Sequence, residues 1–340
     1  MIRRVLPFLL AAALVAVWLY HRSGPPRLTV YCAHDAIYVE SILRDFTRRT
    51  GIPVAARYDT EATKSLGLTE LLIREKDAPR CDVFWNNELL GTLDLQEKGI
   101  LSPYRGSGWQ RIPANFKDAD GHWTGFAARL RVCIANGNVA DAEPMIRLNV
   151  GVLALPDASR FAIAKPLYGT TLTHYAVLWQ HWGREKTIAW HREWRARGVR
   201  ELNGNAAVKD AVAQGACDFG YTDTDDFFEA KDAGLPVEMR PVQIEDTGAT
   251  ICIPNTVAII RGTRRETDAR RLVDFLLSAE TELALARAKS RQIPLGPVPE
   301  DQVPAEVREL QTWAQHAAPL TNLLPARNEC LTWLKAEEVK

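Results

Sequence analysis

The sequence predicts an α/β protein with two lobes, each a mostly parallel sheet flanked by helices. Short apolar strands alternate with amphipathic helices along most of the chain, a pattern typical of parallel sheets with right-handed crossovers. Two long β-rich runs, near 126–136 and 249–260, flank a self-contained α/β segment. We therefore expect the chain to leave one lobe and return to it later, so that the two runs form a hinge beside a ligand cleft.

Each element is predicted from its local pattern. The first helix has Val39, Ile42, Leu43 and Phe46 on one face, and Gly51 ends it. Strands are predicted at 28–33, 53–58, 82–85, 160–164, 199–202, 217–221 and near 237–242, with helices after most of them. Grouping the elements around the hinge gives residues 27–130 plus 256–340 as lobe one and residues 136–248 as lobe two.

The N-terminus predicts export. Arg3 and Arg4 precede an uncharged, largely apolar run at 5–20, and a polar, proline-containing break follows it, which is the order of a secretory signal. The run is short for ~30 Å of hydrocarbon, yet no clean cleavage motif precedes Arg22. Residues 1–26 are therefore either a cleaved signal peptide or an uncleaved signal anchor. Both place residues 27–340 in the periplasm or on the outer face of the cytoplasmic membrane.

Composition excludes some partners. The 340 residues include 42 basic and 42 acidic side chains, so no net field attracts nucleic acid or an anionic surface. The six cysteines have no metal-finger spacing. They can pair in an oxidising compartment, although free thiols buried at strand ends fit most of them equally well.

A first candidate site follows the predicted strand at 160–164. Gly169, Thr170 and Thr171 open a helix there, and open α/β sheets bind ligands at the carboxyl ends of their strands. The free N–H groups of a first helical turn, with two hydroxyls beside them, suit phosphate, carbonate or carboxylate. The alternative is a plain helix cap, in which threonine satisfies its own helix. Local chemistry alone favours the cap.

A second candidate site follows the predicted strand at 217–221. Asp223, Asp225 and Asp226 place three carboxylates within four residues. A helix cap explains one of them readily and three with difficulty. Carboxylates are hard oxygen donors that can hold a hard cation, and they also accept hydrogen bonds from sugar hydroxyls or an amine. The residues leave both possibilities open.

A set of segments spread along roughly residues 27–300 carries a further indication. The segments are Asp82–Glu88, Gln96–Leu101, Asn203–Val208, Val212–Asp218, Ile253–Ala258 and Gln292–Leu295. In matching order, they resemble the ferric-ion-binding periplasmic protein family. The resemblance implies a two-lobed periplasmic binding fold of type II, export, and delivery of a ligand to an ABC permease with a cytoplasmic ATPase.

The resemblance also implies ligand contacts. Similar proteins hold an oxyanion at the turn matching 169–171, with a second anion contact matching Asn205. Where they carry adjacent tyrosines as iron ligands, this chain has Asp225 and Asp226. These two carboxylates are therefore the candidate metal ligands. Other ligand positions of the family fall at or near Asn87, Glu88, His34 and Asp35.

The sequence therefore predicts a monomeric, non-enzymatic substrate-binding component of an ABC transporter. Its cleft would capture ferric iron, or another hard cation, with a synergistic anion, or a phosphate-bearing or otherwise anionic organic solute; no cofactor is required. One alternative is a transferase-type enzyme on the same fold, although no Cys or Ser sits in a strained elbow with a base nearby in sequence. Another is a membrane-anchored sensor, which would need a signalling domain before the chain ends at Lys340.

Overall fold

The computed structural model describes residues 27–34, 36–59, 66–139, 156–245, 247–320 and 323–338. The predicted signal at 1–26 and the predicted site residue Asp35 lie outside these ranges. Within the ranges, no helix is both long enough and apolar enough to cross a membrane.

The described strands form one ten-stranded sheet in the order β2-β1-β3-β10-β5-β8-β6-β7, with β4 paired to β10 and β9 paired to β5. This confirms the predicted α/β class. The strands are β1 (Leu28–Cys32), β2 (Val54–Tyr58), β3 (Val83–Asn86), β4 (Leu101–Ser102), β5 (Thr124–Asn136), β6 (Phe161–Ala164), β7 (Arg200–Leu202), β8 (Phe219–Asp223), β9 (Val237–Pro241) and β10 (Cys252–Ile260).

Helices cover both faces of the sheet, as its buried strands require. They are α1 (Ala36–Thr50), α2 (Leu66–Arg74), α3 (Leu90–Glu97), α4 (Ser107–Arg111), α5 (Gly169–Trp182), α6 (Arg184–Ala196), α7 (Asn205–Ala213), α8 (Thr224–Asp232), α9 (Glu266–Leu276), α10 (Ala279–Arg287), α11 (Ala305–Ala314) and α12 (Leu323–Glu338). Short 3₁₀ turns occur at Ala114–Phe116 and Glu300–Gln302.

Strand β5 joins two groups of parallel strands. Its first half pairs with β10, and its second half, from Arg131, pairs with β8 and β9. Strands β1, β2 and β3 run parallel on one side, and β6, β7 and β8 run parallel on the other. Within the first half, Ala127 has a φ of 43° and the register with β10 shifts. The arrangement suits the expected hinge, while the lobe boundaries stay a prediction.

The last helix, α12, contacts elements on both sides of that predicted division. The Trp333 ring lies 5.9 Å from the Trp179 ring of α5, and Trp179 Nε1 donates to Glu329 at 3.2 Å. Arg327 forms an ion pair with Asp94 of α3. Residues 323–338, which the sequence placed in lobe one, therefore pack against an α5 that it placed in lobe two.

Aromatic side chains and thiols fill the interior. Trp190 and Trp194 pack with Phe161 and Tyr221 under the second group of strands, as their helical spacing predicts. All six cysteines are buried, and none forms a disulfide. The interpretation of buried single thiols therefore fits the structure, and the disulfide alternative does not.

Candidate functional site

Three helix N-termini meet beyond one edge of the sheet. Helix α5 follows β6, α7 follows β7 and α8 follows β8. Because these three strands are parallel, with β6 in the middle, the helices start at the same edge. The N-terminus of a helix carries a partial positive charge and free N–H groups. This edge is therefore electrostatically suited to a negatively charged group.

The first turn of α5 is open to a ligand. Gly169 has a φ of +60°, and a Cβ added there would meet no atom within 4 Å. No acceptor among the described residues takes the N–H groups of Gly169, Thr170 or Thr171, and no side chain caps this helix. The threonines therefore do not act as the plain cap that local chemistry favoured.

The threonine hydroxyls instead join a buried polar cluster. Thr170 Oγ1 donates to Asp223 Oδ2 at 2.6 Å, and Thr171 Oγ1 donates to Asn205 Oδ1 at 3.2 Å. Asn205 Nδ2 donates to Thr170 Oγ1 at 2.7 Å and to Asp223 Oδ2 at 2.9 Å. The fifth member is Arg131. We call Arg131, Thr170, Thr171, Asn205 and Asp223 the Arg131 cluster.

Arg131 is the residue that the sequence analysis missed. It lies on β5 directly opposite Asp223 on β8 and is fully buried. Its Nη1 donates to Asp223 Oδ1 at 2.7 Å and to Asn205 Oδ1 at 3.1 Å, and its Nη2 lies 3.4 Å from Thr171 Oγ1. The sequence contains a pattern that could have pointed to Arg131. Arg129 and Arg131 lie two residues apart in an otherwise apolar run, so they share one face of the strand.

Asp225 and Asp226 lie beside this cluster in the first turn of α8. Asp225 Oδ2 accepts from Arg129 Nη1 at 3.0 Å, and Asp226 Oδ2 accepts from Thr222 Oγ1 at 2.7 Å. One carboxylate oxygen from each of Asp223, Asp225 and Asp226 lies within 4.8 Å of the others. Burial, and then the charges of the other two carboxylates, raise the pKa of Asp226 to about 8.

The remaining predicted ligands have other contacts. Both carboxylate oxygens of Glu88 accept N–H groups at the start of α3, from Leu90 at 2.5 Å and Gly91 at 2.8 Å. Glu88 therefore caps that helix. The carbonyl oxygen of Asn87 accepts from Arg129, which links it to Asp225.

His34 belongs to a separate buried network. Gln292 Nε2 lies 2.8 Å from His34 Nε2, an arrangement that places the imidazole proton on Nδ1 if the glutamine donates. Gln292 in turn accepts from Asn255 Nδ2 at 2.6 Å. The structure thus brings the turn at 169–171 together with Asn205 and the three aspartates, while Glu88 and His34 make other bonds.

The assembled site combines both signs of charge. Two buried guanidinium groups, Arg129 and Arg131, each pair with one carboxylate. Asp226 has a raised pKa, and its hydrogen bond within the described part of the chain comes from the Thr222 hydroxyl. Such a site can hold an oxyanion at the first turn of α5 and accept hydrogen bonds from the same ligand at Asp225 and Asp226.

Comparison with known proteins identifies the family. A family model described as bacterial extracellular solute-binding protein matches residues 28–288. The Fe(3+)-binding periplasmic protein of Serratia marcescens is 25% identical over 200 residues, which are 58% of this chain. The match covers 57% of that protein, so the chain spans just over half the length of this relative.

Solved structures show the same fold. Iron-bound HitA from Pseudomonas aeruginosa has a TM-score of 0.76 at 22% identity, over 92% of this chain and 99% of that one. The periplasmic binding protein AfuA from Actinobacillus pleuropneumoniae, with exogenous fructose-6-phosphate bound, has a TM-score of 0.66 at 18% identity, over 86% and 99%. These likenesses confirm the type II periplasmic binding fold. Together with the family match over most of its length, they lead to one conclusion: the chain belongs to the bacterial extracellular solute-binding proteins.

Proposed function

We propose that this protein is the extracytoplasmic substrate-binding component of an ABC transporter and that its solute carries an oxyanion. The observation that supports this most is the open first turn of α5, with free N–H groups beside buried Arg131. The protein acts as a monomer whose lobes, 27–130 plus 256–340 and 136–248, close on the solute. It then delivers the solute to a permease driven by a cytoplasmic ATPase. Residues 1–26 direct its export.

The solute is a phosphate-bearing or otherwise anionic organic molecule. Its oxyanion binds at Gly169, Thr170 and Thr171, and its hydroxyl or amine groups donate to Asp225 and Asp226. Two observations favour this class over a bare trivalent cation. Arg129 and Arg131 neutralise two of the three carboxylates, and they would repel a metal ion bound beside them. AfuA, which shares the fold, was solved with a sugar phosphate.

Ferric iron with a synergistic anion is the second candidate. The three carboxylates lie close enough together to share one ion, and carboxylate oxygens suit hard cations. The Serratia relative and HitA are iron-binding proteins by name or by bound ligand. In this case Asp225 and Asp226 take the place of tyrosine ligands.

A thermal-shift panel tests the binding function. Inorganic oxyanions, hexose phosphates, dicarboxylates and ferric ion with carbonate are each titrated into the purified protein. We expect saturable stabilisation by at least one oxyanion-bearing compound, because a ligand that binds only the folded state raises its stability. Unchanged ligand after incubation supports a binding protein, whereas turnover would favour the transferase alternative.

A reporter fused after residue 40 should be active only outside the cytoplasm.

A further inference from the structure

Three of the four side-chain donors in the Arg131 cluster already bond a carboxylate of the protein itself. Asp223 is almost fully buried and accepts from Arg131, Thr170 and Asn205 at 2.6 to 2.9 Å. Thr171 is held less tightly, with contacts of 3.2 and 3.4 Å. Asp223 therefore stands where an external anion would otherwise meet these three donors.

This carboxylate also cancels the charge that would attract an anion. Arg131 is fully buried, and its Nε has no acceptor among the described residues. Its positive charge is balanced by the single negative charge of Asp223 at 2.7 Å. An incoming oxyanion consequently meets a neutral pair, with the backbone N–H groups of α5 as its main donors.

We infer that Asp223 is a specificity-determining residue: a built-in counter-anion that keeps small inorganic oxyanions from binding tightly. Inorganic phosphate or sulfate gains the N–H groups of the turn and the Thr171 hydroxyl, without the positive charge of Arg131. A solute that also carries hydroxyl or amine donors gains further hydrogen bonds at Asp225 and Asp226. The inference rests on the proposed function, since it concerns the same oxyanion site, and it narrows the solute class to molecules that bring both an oxyanion and hydrogen-bond donors.

The test is the substitution Asp223→Asn. It keeps the shape of the side chain and removes its charge. The melting temperature of this variant should fall, because Arg131 loses its counter-ion. Saturating inorganic phosphate or sulfate should then raise the melting temperature of the variant by about 5 °C or more. The affinity for phosphate should rise at least about tenfold over wild type, as expected for a newly available charged donor.

Asp218→Asn is the matched control. Asp218 precedes the same strand and pairs with Arg160 at the surface, so this variant removes an equivalent charge outside the site. It should show no gain in phosphate affinity or stability. The double variant Asp223→Asn with Arg131→Gln removes both buried charges and should also lose the phosphate response. It keeps the test decisive if the single variant folds only with phosphate present.

The outcomes separate the inference from the proposed function. If wild type binds inorganic phosphate as tightly as the Asp223→Asn variant, the inference is wrong and the oxyanion site stands. If no variant, including Asp223→Asn, responds to any oxyanion, the site itself is wrong. A response equal in the single and double variants would show that Arg131 is not the charge that Asp223 masks.

Discussion

Arg131 and Asp223 face each other across the antiparallel pair of β5 and β8, and their side chains form a buried ion pair with Nη1 2.7 Å from Oδ1. The pair joins the strand that links the two groups of parallel strands to the edge where α5, α7 and α8 begin. It is the centre of the candidate site, and removal of either partner has consequences that can be measured.

Replacing Arg131→Met should cost about 3–5 kcal/mol of unfolding free energy, because it leaves the Asp223 carboxylate buried without a counter-ion. Urea denaturation measures the loss. Arg160→Met is the matched control, since Arg160 pairs with Asp218 at the surface, and exposed pairs contribute about 1 kcal/mol or less. Equal losses in the two variants would mean that the buried pair has no special role.

Replacing Thr171→Val should weaken binding of an oxyanion-bearing solute. Thr171 is the least tightly held hydroxyl at the first turn of α5, so it can turn toward a ligand. Loss of a hydrogen bond to a charged group costs about 1.5–3 kcal/mol, which is roughly tenfold to hundredfold in affinity. Thr187→Val controls for the loss of a buried helical hydroxyl, since Thr187 Oγ1 donates to the Gly183 carbonyl oxygen at 2.9 Å. Unchanged affinity for every anion tested would remove Thr171 from the site.

The elements around the site were largely predictable, while the cluster at its centre was not. The turn at 169–171 and the aspartates of α8 follow strands, and local sequence patterns show this. Arg131 joins them only through the register of β5 on β8, which pairs residues 92 positions apart in the hydrogen-bonded contact. Glu88 stays a prediction, and its carboxylate accepts two N–H groups at the start of α3, a local contact that the family resemblance does not indicate.

Replacing both Asp225 and Asp226 with Asn separates the two candidate solutes. The change keeps the shape of both side chains and an oxygen acceptor in each, and it removes the carboxylates that a hard cation needs. Binding of ferric ion should collapse, whereas binding of a hexose phosphate should weaken only modestly, since amide oxygens still accept hydrogen bonds. Isothermal titration with each ligand measures the difference, with Asp218→Asn as control. If neither affinity changes, the pair is only a helix cap.

Asp226 should make stability depend on pH. Its pKa is raised to about 8, first by burial and then by the charges of Asp225 and Asp223. Between about pH 4 and pH 8 the folded state thus holds a proton that the unfolded state has lost, so the free energy of unfolding falls as pH rises. Asp226→Asn should reduce the fall in the free energy of unfolding between pH 5 and pH 8 by at least about 1 kcal/mol. Parallel slopes in urea melts of variant and wild type would contradict the assignment.

The most direct test is native mass spectrometry of the protein purified from the periplasm, combined with elemental analysis for iron and phosphorus. We expect an exported chain that carries a non-covalent anionic organic solute without stoichiometric iron, and we expect the Thr171→Val variant to lose much of that solute. Stoichiometric iron bound equally by wild type and Thr171→Val, with no anion present, would contradict this expectation.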